Sequence, residues 1–371
     1  MRVGVPKETK VQEHRVGLTP AAVREYVAAG HEVWVQAGAG AGIGAGDEVY
    51  AAAGARIVDG ADEVWAGAQL IVKVKEPLPA EHALLREGQL LFAYLHLAPD
   101  PGLTRALLAS GCIAVAYETV TDAHGGLPLL APMSEVAGRL ALEAAAFALR
   151  KPAGGRGLLL GGVPGVPSSR VVVIGGGVVG TQAARIAAGL GCEVTVLDRS
   201  LPRLRQLDEL FGGRVRTHFA TAHAVEDEVR GADVVIGAAL VPGARAPRLV
   251  TRTMLATMRP LSVLVDVSID QGGCFETSHA TTHDAPTYVL DGIVHYAVAN
   301  MPGSVPVTAS HALNHATLPF GLALAALGEE ALRRDPHLRR GLNCHRGQLT
   351  CAAVGEALGL PHASAESVLG V

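Results

Sequence analysis

The stretch Arg170-Val-Val-Val-Ile-Gly-Gly-Gly-Val-Val-Gly-Thr-Gln-Ala-Ala-Arg-Ile-Ala-Ala-Gly-Leu-Gly-Cys-Glu-Val-Thr-Val-Leu-Asp198 decides the fold. A β-branched run leads straight into Gly175, Gly177 and Gly180, spaced G-x-G-x-x-G, and a helical run then precedes a second apolar strand ending at Asp198. Each glycine answers a different need. Gly175 permits the tight turn, Gly177 lets the backbone approach a pyrophosphate, and Gly180 permits close helix–strand packing. The phosphates would sit on the helix N-terminus, starting at Val178, where unsatisfied N–H groups and the dipole favour anions. Alone, G-x-G-x-x-G is an ordinary βα turn. With the strand, the helix and an acid 18 residues after Gly180 all in place, it reads as a dinucleotide site.

Asp198 closes the second strand, where a carboxylate accepts from a ribose 2′-OH. A 2′-phosphate there would face a like charge, costing roughly 4 kcal/mol at about 4 Å and an effective dielectric of 20. Arg199 offsets part of this, so the sequence predicts NAD in preference to NADP.

Working outward, the composition suits a large packed protein. Apolar residues make up 49% and charged ones 18% of 371, with 45 glycines; a disordered chain needs the opposite balance. The 31 basic and 35 acidic residues leave −4 with no long block of one sign, so no nucleic-acid or anionic-membrane partner is expected. The longest near-apolar run, Ala316 to Gly328, is shorter than the roughly 20 residues a bilayer span needs. The opening Met-Arg-Val-Gly-Val-Pro-Lys-Glu reads as strand and turn and not as a secretory signal. Five cysteines without a pairing pattern point to reduced thiols and a cytoplasmic setting.

Runs at 2–5, 32–36, 70–74, 90–94 and 112–116 read as buried strands, separated by helical segments. Thr19-Pro20 and Asp100-Pro101 supply N-cap and first-turn proline, and Gly30 and Gly111 mark the ends. Residues 133–150 predict a long helix, 152–168 a Gly/Pro-rich loop, and Arg170 begins a second βα series running to about 300. The tail from 301 reads as helical, and Gly38–Gly46 as a flexible loop. The expectation is an α/β fold of two Rossmann-like domains with parallel sheets, the second an NAD-binding domain inserted in the first. The first comprises 1–130 plus 304–371 and carries substrate and catalysis; the second comprises 131–303.

Four further places combine functional residue types: Arg15 in His14-Arg-Val-Gly-Leu-Thr-Pro20, Lys75 in Val72-Lys-Val-Lys-Glu-Pro77, His96 in Tyr94-Leu-His-Leu-Ala98, and Asp270 before Gln-Gly-Gly. Singly, each has an ordinary explanation as a solvated charge, a structural histidine or a turn former. Three of the four lie at strand ends, where open α/β sheets bind ligands.

With Ala131-Pro-Met-Ser-Glu-Val-Ala-Gly138, Asp270-Gln-Gly-Gly-Cys-Phe-Glu276 and Val298-Ala-Asn-Met-Pro-Gly303, these blocks make the whole chain resemble the alanine dehydrogenase family. The resemblance implies NAD-dependent, reversible oxidative deamination of L-alanine to pyruvate and ammonium. It also implies a homohexamer of two-domain subunits with the active site in the cleft. By position, it implies that Arg15 and Lys75 hold the substrate carboxylate, that His96 is the acid/base, and that Asp270 assists the amine and water steps. On the cofactor side it implicates Ser134, Asp198, Arg203, the run Val267, Ser268, Ile269 and Asp270, and Val298, Asn300 and Met301. The chemistry agrees: guanidinium pairs bidentately with carboxylate, and imidazole shuttles protons near neutral pH.

The chain departs from the family pattern at Ala220-Thr221, where serines are common, and at His279 and Val307, where basic residues occur. The pairs His279/His283 and His311/His315 have i, i+4 spacing without a third ligand, so zinc is not expected and no metal ligand is assigned; the resemblance leaves a weak magnesium site near Glu118 open. Rival readings are the NAD-binding subunit of a proton-translocating transhydrogenase, which lacks the Tyr-Leu-His element, a catalytically silent NAD(H)-binding protein, and a dehydrogenase for a longer amino acid.

Overall fold

A computed structural model describes residues 1–239 and 246–371. They form two compact units, Met1–Met133 with Gly303–Val371, and Ser134–Pro302.

The first unit is built on strands β1 (Arg2–Val5), β2 (Glu32–Gln36), β3 (Arg56–Val58), β4 (Leu70–Val72), β5 (Leu90–Ala93) and β6 (Ile113–Ala116). The second contributes β7 (Arg170–Ile174), β8 (Glu193–Asp198), β9 (Arg216–Phe219), β10 (Val234–Gly237), β11 (Val263–Asp266), β12 (Thr287–Leu290) and β13 (Ile293–Tyr296). The chain then returns to the first sheet with β14 (Leu342–His345) and β15 (Gln348–Leu349). The sheet orders are β15-β14-β6-β5-β4-β1-β2-β3 and β12-β13-β11-β10-β7-β8-β9.

From β6 to β3 every pairing in the first sheet is parallel. In the second, only the β12–β13 hairpin is antiparallel. Parallel strands are covered on both faces, so they read as unbroken apolar runs. Val171–Ile174, Val234–Ile236 and Leu90–Ala93 are buried along their length. The helices between them start and stop as the capping residues dictate. The Thr19 hydroxyl accepts from the Ala22 N–H at the head of Pro20–Ala28, and Asp100 accepts from Leu103 N–H at the head of Pro101–Ser110. Gly111 ends the latter at φ 69°, a left-handed position that costs glycine little.

Each sheet reverses its strand order once. In the first, β2 and β3 build out from one side of β1 while β4 lies on the other; in the second, β8 and β9 lie on one side of β7 and β10 on the other. The carboxyl ends flanking such a reversal leave a crevice, because the two following connections run to opposite faces.

The structure departs from the sequence reading in the tail and in the first sheet. The tail is not wholly helical: after the helices Pro306–Leu327 and Glu329–Arg334, β14 pairs antiparallel with β6 and turns into β15. That two-residue turn, Arg346-Gly347, has φ 47° and 87°, the twist a tight hairpin requires. The three-residue β3 also went unread. Within the glycine run 38–46, a short helical turn at Ala41–Ile43 is held close to its neighbours at Gly40 and Gly42. A Cβ on Gly42 would lie 2.1 Å from the His14 carbonyl oxygen, and one on Gly40 2.3 Å from the Tyr50 ring.

Candidate active site

In the first unit, the segment after β1 passes over the end of β4. A Cβ on Gly17 would stand 2.3 Å from Val72 O, so only glycine allows the crossing. The long helix Pro306–Leu327 pins this segment: Asn314 accepts from Thr19 N–H (2.7 Å) and donates to Gly17 O (3.1 Å), and Ser310 accepts from Val16 N–H (3.2 Å). Beyond β4 and β5 the chains stay paired, with Lys73 N–H on Phe92 O (3.2 Å) and Tyr94 N–H on Val74 O (3.1 Å). Lys75 and His96 therefore leave adjacent strand ends.

Arg15 is 2% exposed and forms a bidentate pair with buried Glu13, Nε to Oε1 at 2.7 Å and Nη2 to Oε2 at 2.6 Å. Nη1 reaches Met133 Sδ at 3.0 Å. Burial alone would lower the guanidinium's proton affinity, but the bonds and charge of Glu13 outweigh it and raise the pKa. Tyr94 and Glu8 add to the field at Arg15.

Lys75 is half-buried, and its backbone N–H donates to Glu8 Oε1 (3.2 Å). The lysine two positions earlier is the one interred: Lys73 is 1% exposed, with Nζ 2.8 Å from Glu81 and 3.4 Å from Glu8. Burial raises the Glu8 carboxyl, with Lys73 and the Val74 N–H pulling it down. Sequence reading singled out Lys75 of the pair and missed this triad. Alternation gives no signal here, because residues 73 and 75 fall on the same face of an extended chain, opposite Val72 and Val74.

His96 projects into solvent between buried Leu95 and Leu97, at φ 47°. Its ring lies parallel to that of Tyr94, centroids 5.8 Å apart and 2° between planes. Tyr94 is itself buried, with its hydroxyl on Leu129 O at 2.6 Å. The unit thus brings Arg15, Tyr94 and His96 into one neighbourhood at the sheet's carboxyl edge.

In the second unit, the glycine loop emerges at the strand-order reversal. A Cβ on Gly175 (φ 105°) would meet Ala238 O at 2.6 Å, and one on Gly180 would meet Gly175 O at 1.8 Å. Both glycines are required by the protein's own backbone. Gly177 differs: a Cβ there would meet nothing within 4 Å. Its bare backbone fronts open space at the head of the helix Val178–Gly189, which fits a bound pyrophosphate.

Asp198 accepts from Gly176 N–H (2.7 Å) and Ser200 N–H (2.7 Å), so it both braces the loop and keeps a carboxylate at the β8 end. Arg203 donates to Gly176 O (2.6 Å), the Thr181 hydroxyl (2.6 Å) and Gln206 (2.9 Å). Ala220 N–H bonds to Asp198 O (3.0 Å), and the Thr221 hydroxyl caps the next helix through Ala224 N–H (3.0 Å). The His279 ring stacks on Tyr288 with centroids 3.7 Å apart, and Val307 is exposed.

Past β11, buried Asp266 organises the loop that carries Val267, Ser268, Ile269 and Asp270. Its carboxylate accepts from Ser268 N–H (3.1 Å), Cys274 N–H (3.0 Å), Phe275 N–H (3.3 Å) and the Ser278 hydroxyl (2.6 Å). Burial raises its pKa against these bonds. Asp266 went unchosen in the sequence, although an acid ending a strand two residues before a serine is the signal for such a loop anchor. The Ser268 hydroxyl donates to Ala239 O (2.8 Å). Exposed Asp270 accepts from Asn300 N–H (3.3 Å), whose residue stands at φ 57°. Val267, Val298 and Met301 pack together against the helix Ala131–Ala148, which carries half-buried Ser134 in its first turn. A Cβ on Gly138, one turn on, would lie 2.3 Å from Val179 O, so this helix runs against the start of Val178–Gly189.

Among the described residues, no group of three or more His, Cys, Asp or Glu side chains is placed to hold a metal ion, and no helix is long and apolar enough to cross a membrane. The cysteines are free, four of them buried, and burial pushes the thiols of Cys112 and Cys192 up to about 11.

Comparison with known proteins divides the chain near the same first boundary but carries its second segment past Pro302, into the part that returns to the first unit. Residues 4–137 match the N-terminal domain of the alanine dehydrogenase/PNT family and 141–352 its C-terminal domain. An alanine dehydrogenase of Halomonas elongata is 58% identical over 371 residues, all of both chains. A solved L-alanine dehydrogenase superposes with TM-score 0.93 at 50% identity, covering 97% of this chain and 99% of that one. A solved transhydrogenase from Sinorhizobium meliloti gives 0.80 at 27% identity, covering 95% of this chain and 100% of that one. This chain belongs to the alanine dehydrogenase/PNT family and is an oxidoreductase with a nicotinamide-cofactor fold.

Proposed function

We propose that the protein is a cytoplasmic, homohexameric alanine dehydrogenase that interconverts L-alanine, NAD and water with pyruvate, ammonium, NADH and a proton. The observation that carries this reading is the 58% identity to an alanine dehydrogenase with neither chain left partly unmatched. The transhydrogenase alternative has a lower likeness, 27% identity, and gives no role to an exposed imidazole at the β5 end.

In this proposal Arg15 and Lys75 bind the substrate carboxylate. Glu13 takes the Nε/Nη2 edge of the guanidinium, fixing which edge faces away from it. Glu13 also keeps Arg15 charged despite burial. Ser134, Val178, Asp198, Arg203, Val267–Ile269, Val298, Asn300 and Met301 line the place of NAD, with Gly177 against the pyrophosphate. When bound, the nicotinamide supplies the acceptor for the hydride leaving the substrate α-carbon. The substrate iminium left behind needs water added and ammonia expelled. His96 takes a proton from the attacking water and delivers it to the departing nitrogen, a function suited to an imidazole near neutral pH. Asp270 contributes a fixed negative charge that favours the cationic iminium.

The test is NAD reduction by purified protein with L-alanine, alongside hydride exchange between NADH and an oxidised NADP analogue with no amino acid present. Reduction that requires L-alanine is expected. Exchange without it, and no reduction with it, would move the chain to the transhydrogenase branch.

A further inference from the structure

Building on the assignment of His96 above, we infer that Glu118 is a positioning residue that holds His96 in its working conformation through the backbone. Glu118 lies in the turn Tyr117–Thr119 after β6, the strand next to β5. Its Oε1 accepts from His96 N–H at 2.6 Å and from Leu95 N–H at 3.1 Å, and its Oε2 lies 3.3 Å from the same Leu95 N–H. Two successive backbone amides therefore converge on one carboxylate. The residue they fix is a histidine at φ 47°, a left-handed conformation that L residues avoid because Cβ crowds the following carbonyl. Such strain persists only where the surroundings over-determine it.

The left-handed turn brings the imidazole parallel to Tyr94, and the Tyr94 hydroxyl is tied to Leu129 O. Tyr94 sets the plane of the ring, and Glu118 sets the backbone that delivers it. The Glu118 carboxylate stands 3.8 Å from His96 Nδ1, beyond hydrogen-bond reach though within ion-pair range of a protonated ring, so its hydrogen bonds are to the main chain alone.

Two conservative variants separate this role from a simple charge effect. Glu118→Gln keeps an sp² oxygen at the same reach and should hold kcat within about threefold, the span of an ordinary surface change. Glu118→Asp keeps the charge but is one methylene too short, and should lower kcat roughly 5- to 30-fold, the population equivalent of the cost of a left-handed L residue. The KM for pyruvate should stay within twofold in both.

A double-mutant cycle then asks whether the effect runs through His96. Glu118→Asp should cost nothing further in a His96→Ala background. An equal loss of kcat in both backgrounds, or loss with Gln and retention with Asp, would overturn the inference. If His96→Ala alone left kcat near normal, the assignment of His96 would fall first, and this inference with it.

Discussion

The glycine loop allows its two functions, holding the protein and admitting a ligand, to be separated by single methyl groups. At Gly180 an added Cβ would stand 1.8 Å from Gly175 O, a backbone atom that cannot swing aside. The helix Val178–Gly189 would have to shift against β7, placing Gly180→Ala among the large core perturbations, at about 3 kcal/mol. For a unit of this size that lowers Tm by roughly 6–12 °C.

At Gly177 the same methyl meets nothing within 4 Å. There alanine is a poorer N-cap than glycine but restricts the unfolded chain, and each term is about 0.5–1 kcal/mol with opposite sign. Stability should therefore stay within about 1 kcal/mol of the parent. The methyl would instead intrude on the pyrophosphate, an overpacking cost of about 1–3 kcal/mol, or roughly 5- to 150-fold in the Kd for NADH. The assay pairs thermal unfolding without cofactor with NADH fluorescence titration. If Gly177→Ala binds NADH within twofold of the parent, or melts as early as Gly180→Ala, the separation of roles is wrong.

Other substitutions probe the remaining groups. His96→Ala should lower kcat by about 10² to 10⁴ with the NADH Kd unchanged, and near-normal turnover in a steady-state assay would remove the imidazole from the proton transfers. Asp198→Asn retains an oxygen for the Gly176 N–H while removing the charge. The ratio of kcat/KM for NAD over NADP should then fall at least about tenfold; an unchanged ratio would refute the ribose role. Lys73→Met leaves Glu8 and Glu81 facing one another in the core and should cost about 3–5 kcal/mol near neutral pH. Burial already raises the Glu8 carboxyl and Lys73 restrains it, so the variant should hold Glu8 higher still. A carboxyl raised by folding contributes its stability at low pH and loses it as pH rises through the folded value. The deficit in denaturant midpoint relative to the parent should therefore shrink as the pH is lowered towards 5, and a deficit that grew on acidification would contradict the assignment.

The fold was legible where burial is two-sided. Central runs such as Val171–Ile174 and Leu90–Ala93 have no polar position to confuse the period, and Thr19, Asp100 and Gly111 punctuate the helices in the usual chemistry. The hairpin Leu342–Leu349 was hidden because Asn343, His345, Arg346 and Gln348 make it polar, and its turn carries arginine at a position of positive φ where asparagine is the familiar signal. In the glycine run 38–46, sequence does not reveal that His14 lies against Gly42 and Tyr50 against Gly40.

At the site, residue types and strand ends were readable, but partnerships were not. The Glu13–Arg15 pair spans two positions and could have been guessed. The bonds from Glu118 to residues 95 and 96, and from Asp266 across to Ser278, depend on tertiary approach. These partners decide which charged groups are anchors and which face a ligand.

The most direct test of the function is to incubate the protein with pyruvate, NADH and isotopically labelled ammonium and analyse the product by chiral separation and mass spectrometry. The expected product is L-alanine carrying the labelled nitrogen, formed in step with NADH consumption and absent without ammonium. NADH consumption that yields unlabelled lactate, or no consumption while NADH still binds, would contradict it.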